Sequence, residues 1–367
     1  MPTDKFVGKE EEKEIVDADF YKCQSCGSMF AFDPSIQKLK CTHCGSTKDI
    51  PIPSVAMENK YDSSTEEGYV PWGETKVVKC KSCGAEFVLY KFETAGSCPF
   101  CKAPSVVDID DVPGLKPNGI LPFMVSDSEA YTSFVTWVKK RKMAPFGFRK
   151  KVNRKDMKGV YAPVFTFDTD TRSHYNIRYG VKHTRTVVKD GKTFTETYTV
   201  WYTDSGSYSK FYNDVQVEAS RYMTEKNLNK TFGFDTNNAY IYKPQFIAGF
   251  EAERYSTGLD DSWLIAKSMI DDSIKNAILS RYNYDVLDYI NVDTIYSSKT
   301  YKYILVPIWV VAYTYKKKAY SVIINGRNSR ADGTCPTSPT KVTALVLFGA
   351  AVIGLIVWAI LKSQGIC

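Results

Sequence analysis

The sequence "KCQSCGSMF" of Lys22–Phe30 returns in a modified form as "KCKSCGAEF" of Lys79–Phe87. Each copy begins the pattern Cys-x2-Cys-x14-Cys-x2-Cys, and the first cysteines of the two patterns are 57 positions apart. Lysine, serine, glycine and phenylalanine recur at matching positions around the cysteines. Because both the cysteines and their neighbours match, the pattern indicates an internal duplication.

This spacing is typical of a zinc ribbon. Two residues between paired cysteines allow one tight turn to direct both sulfurs at one ion, and the glycine that follows closes the turn at positive φ. Four thiolates then surround zinc at a Zn–S distance near ~2.3 Å and leave no open position for water or substrate. We therefore predict two structural zinc ions. The predicted ligands are Cys23, Cys26, Cys41 and Cys44 in the first ribbon, and Cys80, Cys83, Cys98 and Cys101 in the second.

Two alternatives to this assignment follow from the residues. A redox Cys-x-x-Cys pair needs a thioredoxin-like βαβ context, which the sequence does not show. His43 lies within a cysteine turn and could replace one ligand, although four cysteines are available without it. Residues 1–19 are acidic and lack the apolar core of a signal peptide, so we expect a reducing compartment in which such cysteines bind metal. Cys335 and Cys367 stand alone.

The end of the chain is strongly apolar. Val342–Leu361 comprises twenty residues without a charge. As a helix this segment would span ~30 Å, the thickness of the hydrocarbon core of a bilayer. Lys341 and Lys362 flank it, and Trp358 lies where an interfacial aromatic residue is typical. We predict a C-terminal transmembrane anchor, and the basic residues on its N-terminal side predict a cytoplasmic location for the bulk of the chain.

The middle of the chain predicts an α+β domain with an antiparallel sheet. The capping box Ser126–Glu129 predicts the start of one helix, and the apolar face of residues 260–279 predicts another. Alternating residues on both sides of Asp190 and Gly191 indicate long strands joined by a tight turn, and residues 301–325 indicate a hydrophobic hairpin. The predicted parts are a disordered lead (1–19), the first ribbon (20–50), a flexible linker (51–75), the second ribbon (76–107), a linker (108–120), the α+β domain (121–335) and the membrane helix (342–361).

The charge distribution leaves several partner classes open. The formal net charge is +7, and residues 139–158 contain ten Lys or Arg and one acidic residue. This basic patch suits anionic lipid, nucleic acid or plain solvation. No phosphate-binding loop, dinucleotide fingerprint or nucleophile elbow is present in the sequence. His174 and His183 have no partner at a catalytic spacing, so we predict that the protein is not an enzyme.

Three further segments carry a resemblance to a known family. They are "YAPVFTFDTDT" (161–171), "YKPQFIAGFEAERY" (242–255) and "YKYILVPIWVVAYTYKKKAYSVIINGR" (301–327). With the paired ribbons and the terminal helix, they resemble bacterial tail-anchored proteins with zinc ribbons of the transcription-factor-IIB type, which are often labelled primosomal protein N′-like. The family pattern after the last segment often reads Val-Asn-Gly-Gln-Thr-Gly, whereas Ile324–Ser329 of this chain lacks the second glycine.

The resemblance implies a membrane recruiter that acts beside phage-shock-protein-A-like and SPFH-domain proteins in envelope stress. Together with the ribbons, it favours a non-enzymatic adaptor that brings cytoplasmic proteins to the inner face of the membrane, with a homo-oligomer as one possible form. The segments between the cysteine turns are not strongly basic, which also favours protein contact. The alternative hypothesis is a membrane-tethered nucleic-acid-binding protein that uses the ribbons and residues 139–158.

Overall fold

The computed structural model of the protein describes most of the chain from Lys22 to Ser363. Over this part the fold is mixed α+β and consists mostly of strands, with three α-helices. The α+β class predicted from the sequence is therefore confirmed. The described residues are 22–51, 53–62, 75–81, 84–90, 106–109, 115–145, 157–220, 233–315 and 318–363, together with Cys98, Arg154 and Met223.

The strands form one small sheet and one large sheet of twelve strands. Most neighbouring strands are antiparallel, and two pairs in the large sheet are parallel. The strands are β1 (Phe30–Asp33), β2 (Lys38–Cys41), β3 (Thr47–Lys48), β4 (Asn59–Lys60), β5 (Thr75–Cys80), β6 (Glu86–Tyr90), β7 (Val106–Ile109), β8 (Gly119–Ile120), β9 (Met157–Lys189), β10 (Lys192–Glu218), β11 (Tyr240–Ile241), β12 (Glu251–Glu253), β13 (Val286–Tyr315), β14 (Lys318–Asn325) and β15 (Ala331–Gly333). The α-helices are α1 (Asp127–Lys139), α2 (Leu259–Leu279) and α3 (Pro339–Ser363).

Residues 22–51 form the small sheet, which we call the first cysteine unit. Strands β1, β2 and β3 pair antiparallel, with Phe30 opposite Cys41. Phe30, Phe32 and Leu39 are buried, whereas the residues between them along the strands are more exposed. The alternation gives this small sheet one apolar face, which must pack against another part of the protein.

Residues 75–109 form what we call the second cysteine unit. Strand β5 pairs antiparallel with both β6 and β7. Strand β6 in turn pairs with β12 of the large sheet, where Val88 lies opposite Ala252. The second cysteine unit is therefore continuous with the main sheet, whereas the first is a separate sheet.

Strand β9 is the spine of the large sheet. Residues 164–189 of this strand pair antiparallel with β10, residues 157–180 pair antiparallel with β13 on the other side, and Val160 and Tyr161 pair parallel with β12. Every residue from Val160 to Thr169 is buried, and alternate side chains of this stretch belong to two different hydrophobic clusters. Beyond Asp170 burial alternates, because only one face is then covered. We call the β9–β10 hairpin from residue 170 to residue 212 the arm.

The arm ends in the tight turn that the sequence predicted. Lys189 pairs with Lys192, so the loop consists of Asp190 and Gly191 alone. Both residues have positive φ, 50° and 72°. This is the combination that a type I′ turn requires, and its twist matches that of the two strands. The predicted turn is confirmed.

Helices α1 and α2 each cover part of the sheet with one apolar face. The side chain of Ser126 accepts a hydrogen bond from the Glu129 N–H, and the Glu129 carboxylate accepts one from the Ser126 N–H, so the predicted capping box is present. In α1 the buried residues are Ala130, Phe134, Trp137 and Val138, as the sequence pattern predicted. In α2 they include Trp263, Ala266, Ile270, Ile274 and Ile278, and the last three pack against the arm.

Helix α3 has the properties of a membrane span. The stretch Pro339–Trp358 is long and apolar enough to cross a bilayer, and none of it is buried against the rest of the protein. A core helix of a soluble protein would bury such a surface. The predicted tail helix is therefore present.

The described part of the predicted linker is fastened to the body. Strand β4 pairs with β13, and the ring of Tyr61 packs edge-on against Phe167 at 6.1 Å. The buried ammonium of Lys302 forms a salt bridge with the carboxylate of Glu58 at 2.5 Å and another with the carboxylate of Asp214 at 2.8 Å. These contacts differ from the expectation of a flexible connection, at least for residues 53–62.

Lys302 pairs with two members of a group of three carboxylates, those of Glu58, Asp168 and Asp214, which lie within 4.8 Å of one another. Burial, followed by the charges of Glu58 and Asp214, raises the pKa of Asp168 above its ordinary value. The two carboxylates that bond Lys302 raise the pKa of its ammonium, despite the opposing effect of burial. The cluster is thus an internal ion-pair network that fixes the linker, with the lysine as its cation.

We expect Lys302→Met to destabilise the protein by about 3 kcal/mol or more near neutral pH, because the carboxylates lose their buried cation. A carboxyl whose pKa is raised by folding adds stability as pH falls through that pKa, because the folded state then binds more protons than the unfolded state. The cost of Lys302→Met should therefore shrink at mildly acidic pH, where Asp168, whose pKa is raised, takes up a proton. Urea denaturation of the full chain in detergent at both pH values tests this, with the exposed Lys275→Met as a matched control. A cost that does not depend on pH would contradict the assignment.

Candidate metal centre

The first cysteine unit brings its four predicted ligands together. The Sγ atoms of Cys23 and Cys44 are 3.5 Å apart, as are those of Cys26 and Cys41, and all four lie within 4.8 Å of one another. Four thiolates at ~2.3 Å from one ion would be separated by ~3.8 Å along the edges of a tetrahedron. The four sulfurs therefore fit a single metal ion with almost no rearrangement.

Two equivalent turns place these sulfurs. The N–H of Gly27 donates to the carbonyl of Cys23 at 2.7 Å, and the N–H of Gly45 donates to the carbonyl of Cys41 at 3.1 Å. The glycines have φ values of 72° and 77°, and the space around each would admit a side chain. The backbone conformation, rather than crowding, is thus the reason for glycine after each second cysteine.

Local hydrogen bonds favour the thiolate at three of the four positions, Cys23, Cys41 and Cys44. The N–H of Cys44 lowers the pKa of Cys41, and the hydroxyl of Ser46, 3.1 Å away, lowers the pKa of Cys44. At Cys26 the N–H of Ser28 lowers the pKa, but burial and the other sulfurs outweigh it and raise the pKa to about 12. Four adjacent sulfurs resist full ionisation, and a cation between them removes that resistance.

The second cysteine unit repeats the first turn. The N–H of Gly84 donates to the carbonyl of Cys80 at 2.8 Å, and Gly84 has a φ of 75°. Cys80 and Cys98 are both fully buried. The other two predicted ligands of this unit, Cys83 and Cys101, lie outside the described residues.

The other described candidates from the sequence are not members of the four-sulfur group. His43 is exposed, and the metal-competent group around it consists of cysteines. His174 and His183 are exposed residues of the arm. Cys335 is half-buried, which raises the pKa of its thiol. Cys367 lies outside the described residues.

The first cysteine unit is fixed to the body of the protein by its apolar face. The ring of Phe32 packs edge-on against Phe246 at 5.5 Å, and the N–H of Phe32 donates to the carbonyl of Ala248 at 2.9 Å. The side-chain amide of Gln37 donates to the carbonyl of Phe123 at 2.8 Å. The unit therefore shares the core of the body and is not a freely hinged module.

Behind Phe32, aromatic rings continue the contact into the large sheet. Phe123 stacks on Phe250 with ring centroids 4.3 Å apart, and its ring also contacts Trp309 at 5.0 Å. The buried hydroxyl of Tyr161 on β9 donates to the carbonyl of Phe246 at 3.1 Å, which ties the contact to the spine. We call these six residues the aromatic joint: Phe32, Phe123, Tyr161, Phe246, Phe250 and Trp309.

The loop after β14 holds the joint from the other side. The carbonyl of Gly326 accepts the N–H groups of Met124 and Val125 at 2.8 and 2.9 Å. A Cβ on Gly326 would lie 2.7 Å from the ring of Phe123, so only glycine allows this approach. In the same loop Ser329 has a φ of 62°, at the position where the family pattern has its second glycine. A serine at this φ is strained, because side chains of L-residues rarely adopt the left-handed region.

The start of α3 is also bound to the body. The Lys341 ammonium donates to the carbonyls of Lys142 and Ala144 at 3.1 and 2.7 Å. The N–H of Ser338 donates to the carbonyl of Met143 at 2.8 Å. The first turn of the apolar helix is therefore bound to the loop that follows α1.

A cleft of about 990 Å³ separates the first cysteine unit from the start of α1. Its lining carries three cations and three carboxylates, and each cation is paired with a carboxylate. Among the described residues, the lining of the cleft therefore has no excess of positive charge, although Arg154 and Lys158 of the basic patch belong to it. The pairs are Lys40 with Asp33, Arg154 with Asp127 and Lys158 with Glu251.

Comparison with known proteins gives a relative but no function. The uncharacterized protein YdjG of Bacillus subtilis (strain 168) is 27% identical over 326 residues, which covers 88% of this chain and 92% of that protein. No family model matches the chain. No solved structure matches it either. The chain is thus similar to a protein of comparable extent, and its function must be argued from its own residues.

We expect Cys41→Ser to remove the metal bound by the first cysteine unit, because a serine hydroxyl does not replace a thiolate ligand. Elemental analysis of the purified full chain measures this loss, with the half-buried but separate Cys335→Ser as a matched control. Metal content equal to that of the unmodified protein in Cys41→Ser would contradict the assignment of this cluster.

We expect Ser329→Gly to stabilise the protein by about 0.5 kcal/mol, since glycine relieves the left-handed strain but costs chain entropy. Ser329→Ala is the matched control, because alanine retains the strain and should give no gain. Thermal denaturation of the full chain in detergent separates the two. An equal or greater gain from alanine would show that the backbone at Ser329 is not strained.

Proposed function

We propose that this protein is a membrane-anchored, non-enzymatic zinc-ribbon adaptor that recruits cytoplasmic proteins to the inner face of the membrane. The observation that carries the proposal is a continuous packed path between two features. A four-cysteine cluster is fixed through the aromatic joint to the body, and the body is fixed to the first turn of an exposed apolar helix. Such an arrangement holds a rigid surface at a set place beside a bilayer.

Zinc is the metal that best fits the four sulfurs. Soft thiolates in a tetrahedral set select zinc, and a closed set of four thiolates has a structural role rather than a catalytic one. The repeated turn at Cys80 supports a second zinc ion in the second cysteine unit. Two zinc ions would therefore stabilise the two units, of which the first has only a small three-stranded sheet of its own.

The membrane side and the partners follow from the chain itself and from the family that it resembles. Helix α3 acts as a C-terminal anchor, and the basic residues before it favour a cytoplasmic body. Lys142 lies on the loop that binds the start of α3 and is exposed, where anionic headgroups would be within reach. SPFH-domain and phage-shock-protein-A-like proteins are the candidate partners, with envelope stress as the setting.

The charges around the first cysteine unit favour a polypeptide over a nucleic acid. A polyanion needs unpaired cations along its path. Lys40, Arg154 and Lys158 line the cleft, but each already has a carboxylate neighbour. A polypeptide with mixed charges is the better occupant of such a surface.

We expect full-length protein purified from native membranes to bring specific cytoplasmic proteins with it. Replacing Cys23 and Cys26 by serine should remove these proteins, because the first unit loses its metal-dependent shape, while the anchor stays in the membrane. Mass spectrometry of the co-purified material measures this, and Cys335→Ser is the control that keeps both units intact.

Other outcomes would contradict the adaptor. Co-purified nucleic acid that is sensitive to nuclease and lost at high salt would instead support a membrane-tethered nucleic-acid-binding protein. If the same proteins still co-purify with the cysteine variant, the first cysteine unit does not bind them. Recovery of the wild type in the soluble fraction would exclude the anchor.

A further inference from the structure

Strand β10 forms an outer edge of the arm. Within the described residues β10 pairs only with β9, and helix α2 covers part of one of its faces rather than its edge. No proline interrupts residues 194–212, and the bulge of this strand comes only after Tyr212. Long edges without prolines or bulges are templates for pairing with another strand.

The turn at the tip of the arm determines which backbone groups face outward. In a two-residue hairpin the residues that flank the turn form a hydrogen-bonded pair, and such pairs recur at every second position. Even-numbered residues of β10 therefore bond to β9, and odd-numbered residues from Thr195 to Phe211 direct their N–H and C=O groups outward. Ser205 agrees with this, because its N–H donates to the carboxylate of Asp204 at 2.8 Å instead of to β9.

We propose that β10 pairs antiparallel with β10 of a second copy of this chain, with Thr203 opposite Thr203, to form a two-fold dimer. In this register the outward N–H and C=O groups of Thr203 in one copy form hydrogen bonds with those of Thr203 in the other. Odd-numbered residues therefore lie opposite odd-numbered residues along the whole edge. It spans Phe194–Tyr212, and each pairing occurs twice by symmetry.

Charge selects this register. Glu196 lies opposite Lys210 of the second copy, in a pair without backbone hydrogen bonds, where side chains across an antiparallel ladder are closest. Both side chains are exposed, and Glu196 also pairs with the Arg185 guanidinium of β9 at 2.8 Å within its own copy. In a register centred on Asp204, the two copies of Asp204 would face each other. In a register centred on Trp201, Lys192 of each copy would face Lys210 of the other. In the register centred on Thr203, every pair of charged residues that face each other is attractive.

The same register covers exposed aromatic rings. Phe194 and Tyr198 are 50% and 43% exposed, because α2 contacts this face of β10 only nearer the body. There the Tyr212 hydroxyl donates to Ser273 at 3.1 Å, and the Arg281 guanidinium lies 4.9 Å from the ring of Tyr208.

In the dimer, Phe194 and Tyr198 would face Tyr212 and Tyr208 of the second copy. Cross-strand aromatic pairs of this kind stabilise antiparallel sheets. The charges, the outward backbone groups and the exposed rings therefore all point to the same partner.

The test measures the dimer dissociation constant of the full chain in detergent by analytical ultracentrifugation. The unmodified protein should dimerise, and Lys210→Glu or Glu196→Lys alone should raise the dissociation constant about tenfold by placing like charges opposite each other. The double variant Glu196→Lys/Lys210→Glu should restore dimerisation. This rescue would not follow if either residue merely supported the fold.

A backbone variant tests the edge itself. Thr203→Pro removes an N–H that does not bond to β9 and should give a monomer, whereas Thr203→Val keeps the N–H and should still dimerise. Circular dichroism and metal content confirm that the variants fold, and the exposed Lys210→Glu remains informative if proline is not tolerated. A monomeric unmodified protein at micromolar concentration would overturn the proposal. So would a dimer that neither charge reversal weakens.

Discussion

The double-sided pairing of β9 is the constraint on which the rest of the structure depends. A strand that is hydrogen-bonded on both edges and buried on both faces must be largely apolar, and Val160–Phe167 meets that demand at every position except Thr166. Where this demand relaxes, beyond Asp170, polar residues enter one face and the same strand becomes the arm. One continuous strand thus belongs both to the core and to an extended, solvent-facing hairpin.

Features set by neighbouring residues could be predicted from the sequence. The capping box at Ser126, the two-residue turn at Asp190 and the apolar stripe of α1 each depend on residues a few positions apart, and each is present. The clustering of the first four cysteines followed from spacing and glycine chemistry in the same way. Local geometry leaves few alternatives for such elements.

Contacts between distant segments could not be predicted. Nothing near Phe32 indicates that Phe246 will receive its ring, and nothing near Glu58 indicates a buried lysine at position 302. The composition of residues 51–62 is that of a linker, yet its described residues are held by strand pairing and by the Lys302 cluster. Tertiary partners override the local signal here, since a short polar segment can gain enough contacts to become ordered.

The duplicated cysteine units show how the same local motif acquires two different attachments. Both units use the same glycine turn, but the first presents its apolar face to the aromatic joint, whereas the second donates β6 to the main sheet. From the first unit the packed path continues through Phe123 to the segment before α1, and the loop after α1 binds Lys341 at the start of the apolar helix. If that helix spans a membrane, these contacts set the orientation of the four-sulfur cluster relative to the bilayer. Rigid attachment would then lower the entropic cost of binding a partner, because the recognition surface is already positioned.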